Sequence, residues 1–385
     1  MNELKRHRMV FKLVPLIALF LKLRFNYEYE DLEDVEGPYL LLANHNLELD
    51  PAFVGVAAKK HLYFVASEHI LRKGIGTWLL MTFFKPIIHM KGKQGLNTIK
   101  EMLQTLKVGH SVCIFPEGNR SFNGVTGEIL PSIGKVARRS GAKLVTYRIE
   151  GGYLAQPRWS TSLRRGKMRG RLIQVYTPEE LKQMTDEQVG TAICRDLYED
   201  AYVTQEREQA AFKGKNLALG MESTLFACPV CGKMGKMHTD DISLYCDCGF
   251  RAVYDVYGYL TDESGKRYTI TELDTYQKGI LKEQFEAYCE KQDTEKAFFS
   301  DEVTMENISD QHVFLEAQKG MLAAYGNKLK ICDREIPYRD ITGMAIYSRN
   351  CMILHVKGVE GHLELKADTR FNALKYLYLY HTINS

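Results

Sequence analysis

Short apolar runs alternate with helix-like segments through about the first 175 residues, and this alternation limits the fold more than any other feature. The run Tyr39–Ala43 is followed by Asp50 and Pro51, a pair that commonly opens a helix. Strand-like and helix-like segments then follow each other as far as SIGKVARRSGAKLVTYRI. Strands joined by helical crossovers pair in parallel. The sequence therefore predicts an α/β fold with a mixed, largely parallel sheet flanked by helices.

A chain of 385 residues exceeds what one hydrophobic core usually serves. We expect a membrane-associating amphipathic helix over 1–26, the α/β domain over 27–215, a zinc ribbon over 222–262, a helical linker over 263–300 and a β-rich domain over 301–385. In the β-rich domain, short strand-like runs end in a helix-like segment. This pattern resembles a pleckstrin-homology-like (PH-like) barrel closed by a helix.

Residues 1–26 carry six basic residues and one acidic residue around an apolar stretch. The uninterrupted apolar run, Leu13–Leu21, is much shorter than the roughly 20 residues that span a bilayer. Lys22 and Arg24 stand where a signal peptide would have small residues, so we do not expect secretion. The pattern favours a helix in the membrane interface, and a first helix packed on the core is the alternative. We expect a cytoplasmic protein, peripheral to the inner face of the membrane.

A histidine and an aspartate, separated by four residues, stand in NHNLELD, where the first buried strand gives way to a helix. An imidazole titrates near neutral pH and suits a general base. We expect Asp50 to accept the ring N–H of His45 with one carboxylate oxygen and a backbone N–H at the helix start with the other. One alternative is a helix cap beside an uninvolved histidine. Another is a metal site of His45, Glu48 and Asp50, which no second histidine pair supports.

A second polar motif, FPEGNRS, follows the strand-like run SVCIF, at a strand end where α/β proteins place their sites. Glu117, Gly118 and Arg120 give a carboxylate, a permissive backbone position and a fixed cation. In isolation the motif also fits a Pro-Glu-Gly turn with a solvated arginine. The presence of NHNLELD earlier in the chain favours a functional role.

Together and in this order, the two motifs resemble the signatures of the glycerol-phosphate and lysophospholipid acyltransferase family, N-H-x4-D and F-P-E-G-x-R-S. The resemblance covers roughly residues 10–215. It implies transfer of a fatty acyl group to lysophosphatidic acid or a related lysolipid, with acyl-CoA or an acyl carrier protein as co-substrate. It implies that His45 is the general base and Asp50 its orienting partner. It also implies that Glu117, Gly118 and Arg120 bind the lysophospholipid acceptor.

The chain departs from the family pattern between the two motifs. Where the family commonly has an apolar strand ending in arginine, this chain has PIIHMKG, with His89 and Lys91, and then Lys93. Lysine can hold a phosphate but lacks the bidentate fork of arginine. We expect Lys91 to assist acceptor binding as an auxiliary cation. A further family block, an apolar strand with a proline, corresponds at best to KLVTYRIEGG, which has none.

The segment Arg158–Arg171 holds six basic residues and no acidic residue. It could contact anionic headgroups or the phosphates of acyl-CoA, with Trp159 in the headgroup zone, or it could be a solvated loop. The net charge of the whole chain is only +3, so no nucleic-acid partner is expected. The rival hypothesis is a non-catalytic lipid- or nucleic-acid-binding protein that uses this basic segment and the zinc ribbon. That hypothesis leaves the two polar motifs unexplained.

Four of the nine cysteines cluster as C-x2-C followed by C-x-C. They are Cys228, Cys231, Cys246 and Cys248. Four thiolates at such spacing fit a tetrahedral structural Zn²⁺ with no open position for catalysis, and Gly232 and Gly249 permit the tight turns under the metal. His238 could replace one ligand, and a redox-active C-x-x-C is the lesser alternative.

Overall fold

The computed structural model describes residues 3–72, 75–89, 95–291, 296–309, 313–367 and 371–384. The predicted acceptor contact Lys91 lies outside these residues, as does Lys93. The chain divides into two compact units near Gly214. The segment Trp159–Thr161 is grouped with the second unit, although it precedes that boundary in the chain.

The first unit alternates strands and helices as the sequence predicts. Its strands are β1 Tyr27–Tyr29, β2 Tyr39–Ala43, β3 Leu62–Ser67, β4 Ile87–His89, β5 Ser111–Ile114, β6 Lys143–Glu150 and β7 Met168–Tyr176. Its helices are α1 Glu3–Phe25, α2 Asp50–Ala58, α3 Ile75–Phe83, α4 Leu96–Lys107, α5 Ser132–Arg139, α6 Gly152–Ala155, α7 Pro178–Gln183, α8 Asp186–Leu197 and α9 Ala201–Glu208.

The seven strands form one sheet in the order β1-β7-β6-β2-β5-β3-β4. β2 lies in its centre, pairs in parallel with β5 and β6, and buries all five of its residues. A strand covered on both faces needs a continuous apolar run, which YLLLA supplies. β6 and β7 pair antiparallel, whereas the other neighbours pair in parallel. The predicted α/β fold with a mixed, largely parallel sheet is confirmed.

The carboxyl ends of β2 and β5 meet at one edge of the sheet. Leu42 is paired with Ile114, so the loops that follow the two strands leave the sheet side by side. The first loop carries NHNLELD and the second carries FPEGNRS. The parallel pairing thus brings together two motifs that are far apart in sequence.

Helix α1 buries one side and exposes a long apolar stripe on another. Leu21 and Phe25 are buried, and the Phe25 ring packs edge-on against Phe53 of α2. The side chains that stay more than half exposed recur at helical spacing and so share one face. They are Leu13, Leu16, Leu19, Phe20 and Leu23. Among the residues that the structure describes, no helix has the length and apolar character needed to cross a membrane.

The second unit begins with a small antiparallel sheet in the order β12-β11-β10-β9-β8. Its strands are β8 Met237–Thr239, β9 Ser243–Cys246, β10 Arg251–Tyr254, β11 Leu260–Asp262 and β12 Arg267–Tyr268. Helix α10, Ile270–Glu290, follows and opens with a reciprocal capping box between Thr269 and Glu272.

The rest of the second unit is a seven-stranded antiparallel sheet in the order β16-β15-β14-β13-β19-β18-β17. Its strands are β13 Phe299–Ile308, β14 Phe314–Ala324, β15 Lys328–Ile331, β16 Arg334–Pro337, β17 Ile341–Tyr347, β18 Cys351–Val356 and β19 His362–Lys366. The last helix, α11 Ala373–Asn384, lies across this sheet: the Tyr376 hydroxyl donates to Leu322 O and the Tyr380 hydroxyl to Ile341 O. The predicted β-rich carboxy-terminal domain is confirmed.

Candidate functional site

The loop after β2 holds His45 and Asp50 in direct contact. The Nδ1 atom of His45 lies 2.7 Å from Oδ2 of Asp50. Because a carboxylate only accepts hydrogen bonds, this contact places the ring proton on Nδ1 and leaves the lone pair on Nε2. Among the described residues, Nε2 has no hydrogen-bond partner, and the imidazole is about a quarter exposed at 23%. The predicted dyad is therefore assembled, with its basic nitrogen accessible.

The predicted capping role of Asp50 is wrong. Helix α2 begins at Asp50, but its carboxylate turns back toward the preceding loop. The Oδ2 atom accepts the backbone N–H groups of Asn46 at 2.6 Å and of Leu47 at 3.0 Å, besides the imidazole of His45. The Oδ2 atom thus accepts all three bonds, and none of them comes from the backbone of α2. The three bonds fix the carboxylate that orients the imidazole.

Glu117 connects the second motif to the backbone of His45. Its Oε1 accepts the N–H of His45 and its Oε2 accepts the N–H of Gly127, each at 2.6 Å. Desolvation raises the pKa of Glu117 to about 8, and the two backbone hydrogen bonds oppose that rise. Both carboxylate oxygens accept backbone N–H groups, so Glu117 supports the backbone at His45. Its role in acceptor binding stays a prediction.

The turn of the second motif depends on Gly118, which has a left-handed backbone with φ of 66°. An L side chain is disfavoured in this conformation, so a glycine suits the position. Further along the motif, the N–H of Ser121 donates to the carbonyl of His45 at 2.9 Å. The backbone of His45 is therefore held on both sides, at N–H by Glu117 and at C=O by Ser121.

Two buried arginines lie together beside the dyad. Arg120 is 9% exposed, and its Nη1 has no hydrogen-bond partner among the described residues. Its Nη2 lies 3.5 Å from a carboxylate oxygen of Glu48, whose side chain is mostly exposed. The Cζ atom of Arg158 lies over the ring of Phe122, 4.6 Å from the ring centroid. Burial, and then the positive charge of Arg120, lowers the pKa of Arg158 to about 9.

Sequence reasoning missed Arg158 as a site residue because it stands in the basic segment Arg158–Arg171. That segment is not a uniformly solvated loop. Lys167 and Arg169 are paired with Glu208 at 3.1 and 2.6 Å. Trp159, predicted at a headgroup zone, is fully buried and donates its indole N–H to Leu217 O at 3.1 Å. The interfacial role of Trp159 is therefore wrong.

Sequence reasoning also missed a buried acid that contacts the dyad loop, residues 44–49 between β2 and α2. Glu199 lies between α8 and α9 and accepts a hydrogen bond from Asn46 Nδ2 at 2.7 Å. Asn44 Nδ2 lies 3.4 Å from the same oxygen. No local pattern marks Glu199, because its partners stand more than 150 positions earlier in the chain.

The four clustered cysteines of the second unit form a candidate metal centre. The sulfur atoms of Cys228, Cys231, Cys246 and Cys248 all lie within 4.8 Å of one another. Two of these sulfur pairs are 3.6 and 3.8 Å apart. A tetrahedron of thiolates about 2.3 Å from a zinc ion has edges of about 3.8 Å, so the cluster fits such an ion. The alternative ligand His238 instead contacts Asp247 at 2.7 Å.

Comparison with known proteins addresses the first unit. Residues 24–150 match the family model "Acyltransferase". Over 149 residues the chain is 28% identical to 1-acyl-sn-glycerol-3-phosphate acyltransferase LPAT1, chloroplastic, of Arabidopsis thaliana; the match covers 38% of this chain and 42% of that relative.

A solved structure, the 1-acyl-sn-glycerophosphate (LPA) acyltransferase PlsC from Thermotoga maritima, aligns with a TM-score of 0.42 and 19% identity, over 51% of this chain and 80% of that one. His45, Asp50, Glu117 and Arg120 all fall within the residues matched by the family model. The chain is thus similar to acyltransferases over residues 24–150, which contain both polar motifs.

Proposed function

We propose that this protein transfers a fatty acyl group from acyl-CoA or an acyl carrier protein to lysophosphatidic acid or a related lysolipid. The observation that carries the proposal is the His45 imidazole, oriented at Nδ1 by Asp50 with Nε2 accessible, beside two buried arginines. The Arabidopsis relative is a 1-acyl-sn-glycerol-3-phosphate acyltransferase, and this similarity supports a phosphorylated acceptor. An assay of thioester consumption with purified protein and a panel of lysolipids tests the proposal.

The geometry suits general-base catalysis by His45. Nε2 takes the proton of the acceptor hydroxyl while the hydroxyl oxygen attacks the carbonyl carbon of the thioester. Asp50 stabilises the imidazolium that forms, through the Nδ1–H bond at 2.7 Å. When the tetrahedral intermediate collapses, the C–S bond breaks and the imidazolium returns its proton to the departing thiolate. The products are an ester and a free thiol, and His45 is neutral again.

Arg120 and Arg158 support a phosphate-bearing acceptor. The two guanidinium groups repel each other, which is why Arg120 contributes to the lowered pKa of Arg158. Glu48 lies 3.5 Å from Arg120 and is mostly exposed, so solvent weakens its attraction for the Arg120 guanidinium. A phosphate group between the guanidiniums would relieve the repulsion and accept their hydrogen bonds in the bidentate manner that arginine favours.

The apolar stripe of α1 supports attachment to a membrane surface. Its side chains Leu16 and Leu23 are 64% and 63% exposed, and basic residues occur along the same segment. A helix of this kind lies in the interface with its apolar side toward the acyl chains. On this ground we propose that the protein associates with a membrane surface, where its lysolipid acceptor would also be found.

Replacing Leu16 and Leu23 together by glutamate is expected to weaken binding to lipid vesicles by on the order of 100-fold or more, because each buried leucine contributes about 1.5 to 3 kcal/mol. Turnover on detergent-dispersed substrate should change little. Co-sedimentation measures the binding. The matched control is Leu96→Glu, since Leu96 is 70% exposed on α4. Equal vesicle binding by the double variant and the wild type would rule out α1 as the anchor.

We also propose that the cysteine cluster holds a structural zinc ion. The four sulfur atoms would complete its tetrahedral coordination, so the ion would stabilise the fold and would have no open position for a substrate. Gly232 and Gly249, with φ of 67° and 98°, allow the chain to turn tightly after Cys231 and Cys248.

Replacing Cys228 and Cys231 by serine is expected to abolish binding of about one zinc ion per chain and to lower Tm, because binding of a structural metal is coupled to folding. Metal analysis by mass spectrometry and thermal unfolding measure the two effects. The double substitution of Cys194 and Cys289 by serine is the control, since both are exposed and lie outside the cluster. Purified wild type without zinc would contradict the proposal.

A further inference from the structure

The carboxylate of Glu199 is buried at 3% exposure and is surrounded by hydrogen-bond donors. Its Oε1 accepts the backbone N–H of Gly151 at 3.1 Å. Its Oε2 accepts the amide of Asn46 at 2.7 Å and lies 3.4 Å from the amide of Asn44. Burial raises the pKa of Glu199 to about 8, and the bonds from Asn46 and Gly151 oppose that rise. The groups that contact the two oxygens are all N–H donors, so both oxygens act as acceptors.

The two asparagines that contact Glu199 flank His45 in the chain. Both side-chain amides also donate to the carbonyl of Ile149 in β6, at 2.9 and 3.0 Å. The Asn44 side-chain oxygen accepts the N–H of Ile149 at 2.7 Å in return. Asn44 and Asn46, on either side of His45, thus contact both β6 and Glu199.

A second connection runs from Glu199 to Glu117, which supports the backbone at His45. The N–H of Thr126 donates to Glu199 O at 2.9 Å, and the N–H of Glu199 donates to the Thr126 hydroxyl at 2.8 Å. The next residue, Gly127, donates to Glu117, which accepts the N–H of His45. Glu199 is therefore connected to His45 in two ways. Its carboxylate contacts the side chains of Asn44 and Asn46. Its backbone is connected through Thr126, Gly127 and Glu117.

Close packing against Gly152 also restricts movement of the dyad loop. Gly152 follows the peptide held by Glu199, and a Cβ there would lie 2.8 Å from Asn46 Cβ and 2.8 Å from Leu47 Cδ2. No side chain fits in that gap, so the loop rests directly on the backbone of α6. A shift of the Asn46 amide toward Gly152 is therefore blocked, and the position of the loop depends on the hydrogen bonds that hold it.

We propose that Glu199 is a positioning residue of the acyl-transfer site, which acts through Asn44 and Asn46 to fix the loop that carries His45. The kinetic part of this inference rests on the proposed acyltransferase function. The chemistry of the network requires an acceptor at both oxygens of residue 199. An amide would present its N–H₂ to another donor, either at Asn46 or at Gly151.

The test compares Glu199→Gln with Asp196→Asn. Asp196 is also 3% exposed, lies in α8, and accepts hydrogen bonds from the Thr146 and Tyr176 hydroxyls at 3.0 and 2.7 Å. Among the described residues, its side chain bonds to Thr146, Tyr176 and Arg195 and not to the dyad loop, so its variant reports the general cost of removing a buried carboxylate. Both variants should lower Tm.

Glu199→Gln is expected to lower kcat by about 10- to 100-fold with KM for the acceptor within about twofold, since a misplaced base acts on the chemical step. Asp196→Asn should leave kcat within about twofold. If Glu199→Gln does not fold, Asn46→Asp removes the donor from the other side of the contact and should give the same loss. Equal losses of kcat in Glu199→Gln and Asp196→Asn would overturn the proposal.

A second readout does not depend on turnover. The Nδ1 proton of His45, hydrogen-bonded to Asp50, should give a downfield proton NMR signal that is absent from His45→Ala. We expect this signal to shift or vanish in Glu199→Gln and to persist in Asp196→Asn. A wild type that transfers no acyl group would remove the proposed function, yet the NMR comparison would still test positioning. An unchanged signal in Glu199→Gln would overturn it.

Discussion

His45→Ala is expected to lower kcat for acyl transfer by about 10²- to 10⁴-fold, with a much smaller change in KM for the acceptor. A general base acts in the transition state and contributes little to ground-state binding. The substitution should spare the fold, because the contacts of residue 45 with Glu117 and Ser121 are made by its backbone N–H and C=O. Single-turnover measurement of ester formation with purified protein separates the chemical step from product release.

Asp50→Asn should be nearly as damaging as His45→Ala. Asp50 accepts three N–H groups at one oxygen, and an amide at this position accepts them more weakly or presents its own N–H₂ to the imidazole. The control is His381→Ala, which removes an exposed histidine of α11 in the second unit. If His45→Ala retained the wild-type kcat with its best acyl donor, general-base catalysis by this dyad would be excluded.

The arrangement of the two motifs was predictable from sequence, for a physical reason. β2 is central and covered on both faces, so its apolar run is unbroken and easily recognised. The pairing of Leu42 with Ile114 then follows from parallel strand order, which places successive strand ends at one edge. Polar residues directly after such strands, as in both motifs, can therefore be expected to converge.

The supporting groups could not be predicted, because their roles depend on tertiary contacts. A buried arginine such as Arg158 has the same local pattern as a solvated one. Glu199 acts on Asn46 across 153 positions, and no sequence period links them. Even within NHNLELD, the sequence does not specify which oxygen of Asp50 meets which donor. Local propensity predicts that a polar group lies near a helix start, whereas loop geometry decides where its carboxylate points.

Arg158→Ala and Arg120→Ala are each expected to raise KM for lysophosphatidic acid by about 10- to 100-fold. A desolvated hydrogen bond between charged groups contributes about 1.5 to 3 kcal/mol, and both guanidiniums are buried beside the dyad. Arg158→Lys should fall between wild type and alanine, because lysine keeps the charge but loses the bidentate fork. Lys91→Ala should have a smaller effect of at most about fivefold, as expected for a solvated point charge.

An uncharged acceptor separates phosphate recognition from general damage to the site. With monoacylglycerol in place of lysophosphatidic acid, Arg120→Ala and Arg158→Ala should change KM by less than about twofold, because no phosphate is present to lose its partner. Arg139→Ala, which removes an exposed arginine at the end of α5, should leave both acceptors unaffected. If the buried-arginine variants impaired both acceptors equally, the two guanidiniums would serve the fold or the acyl donor. The phosphates of acyl-CoA would then be the next candidate for the group that the two guanidiniums bind.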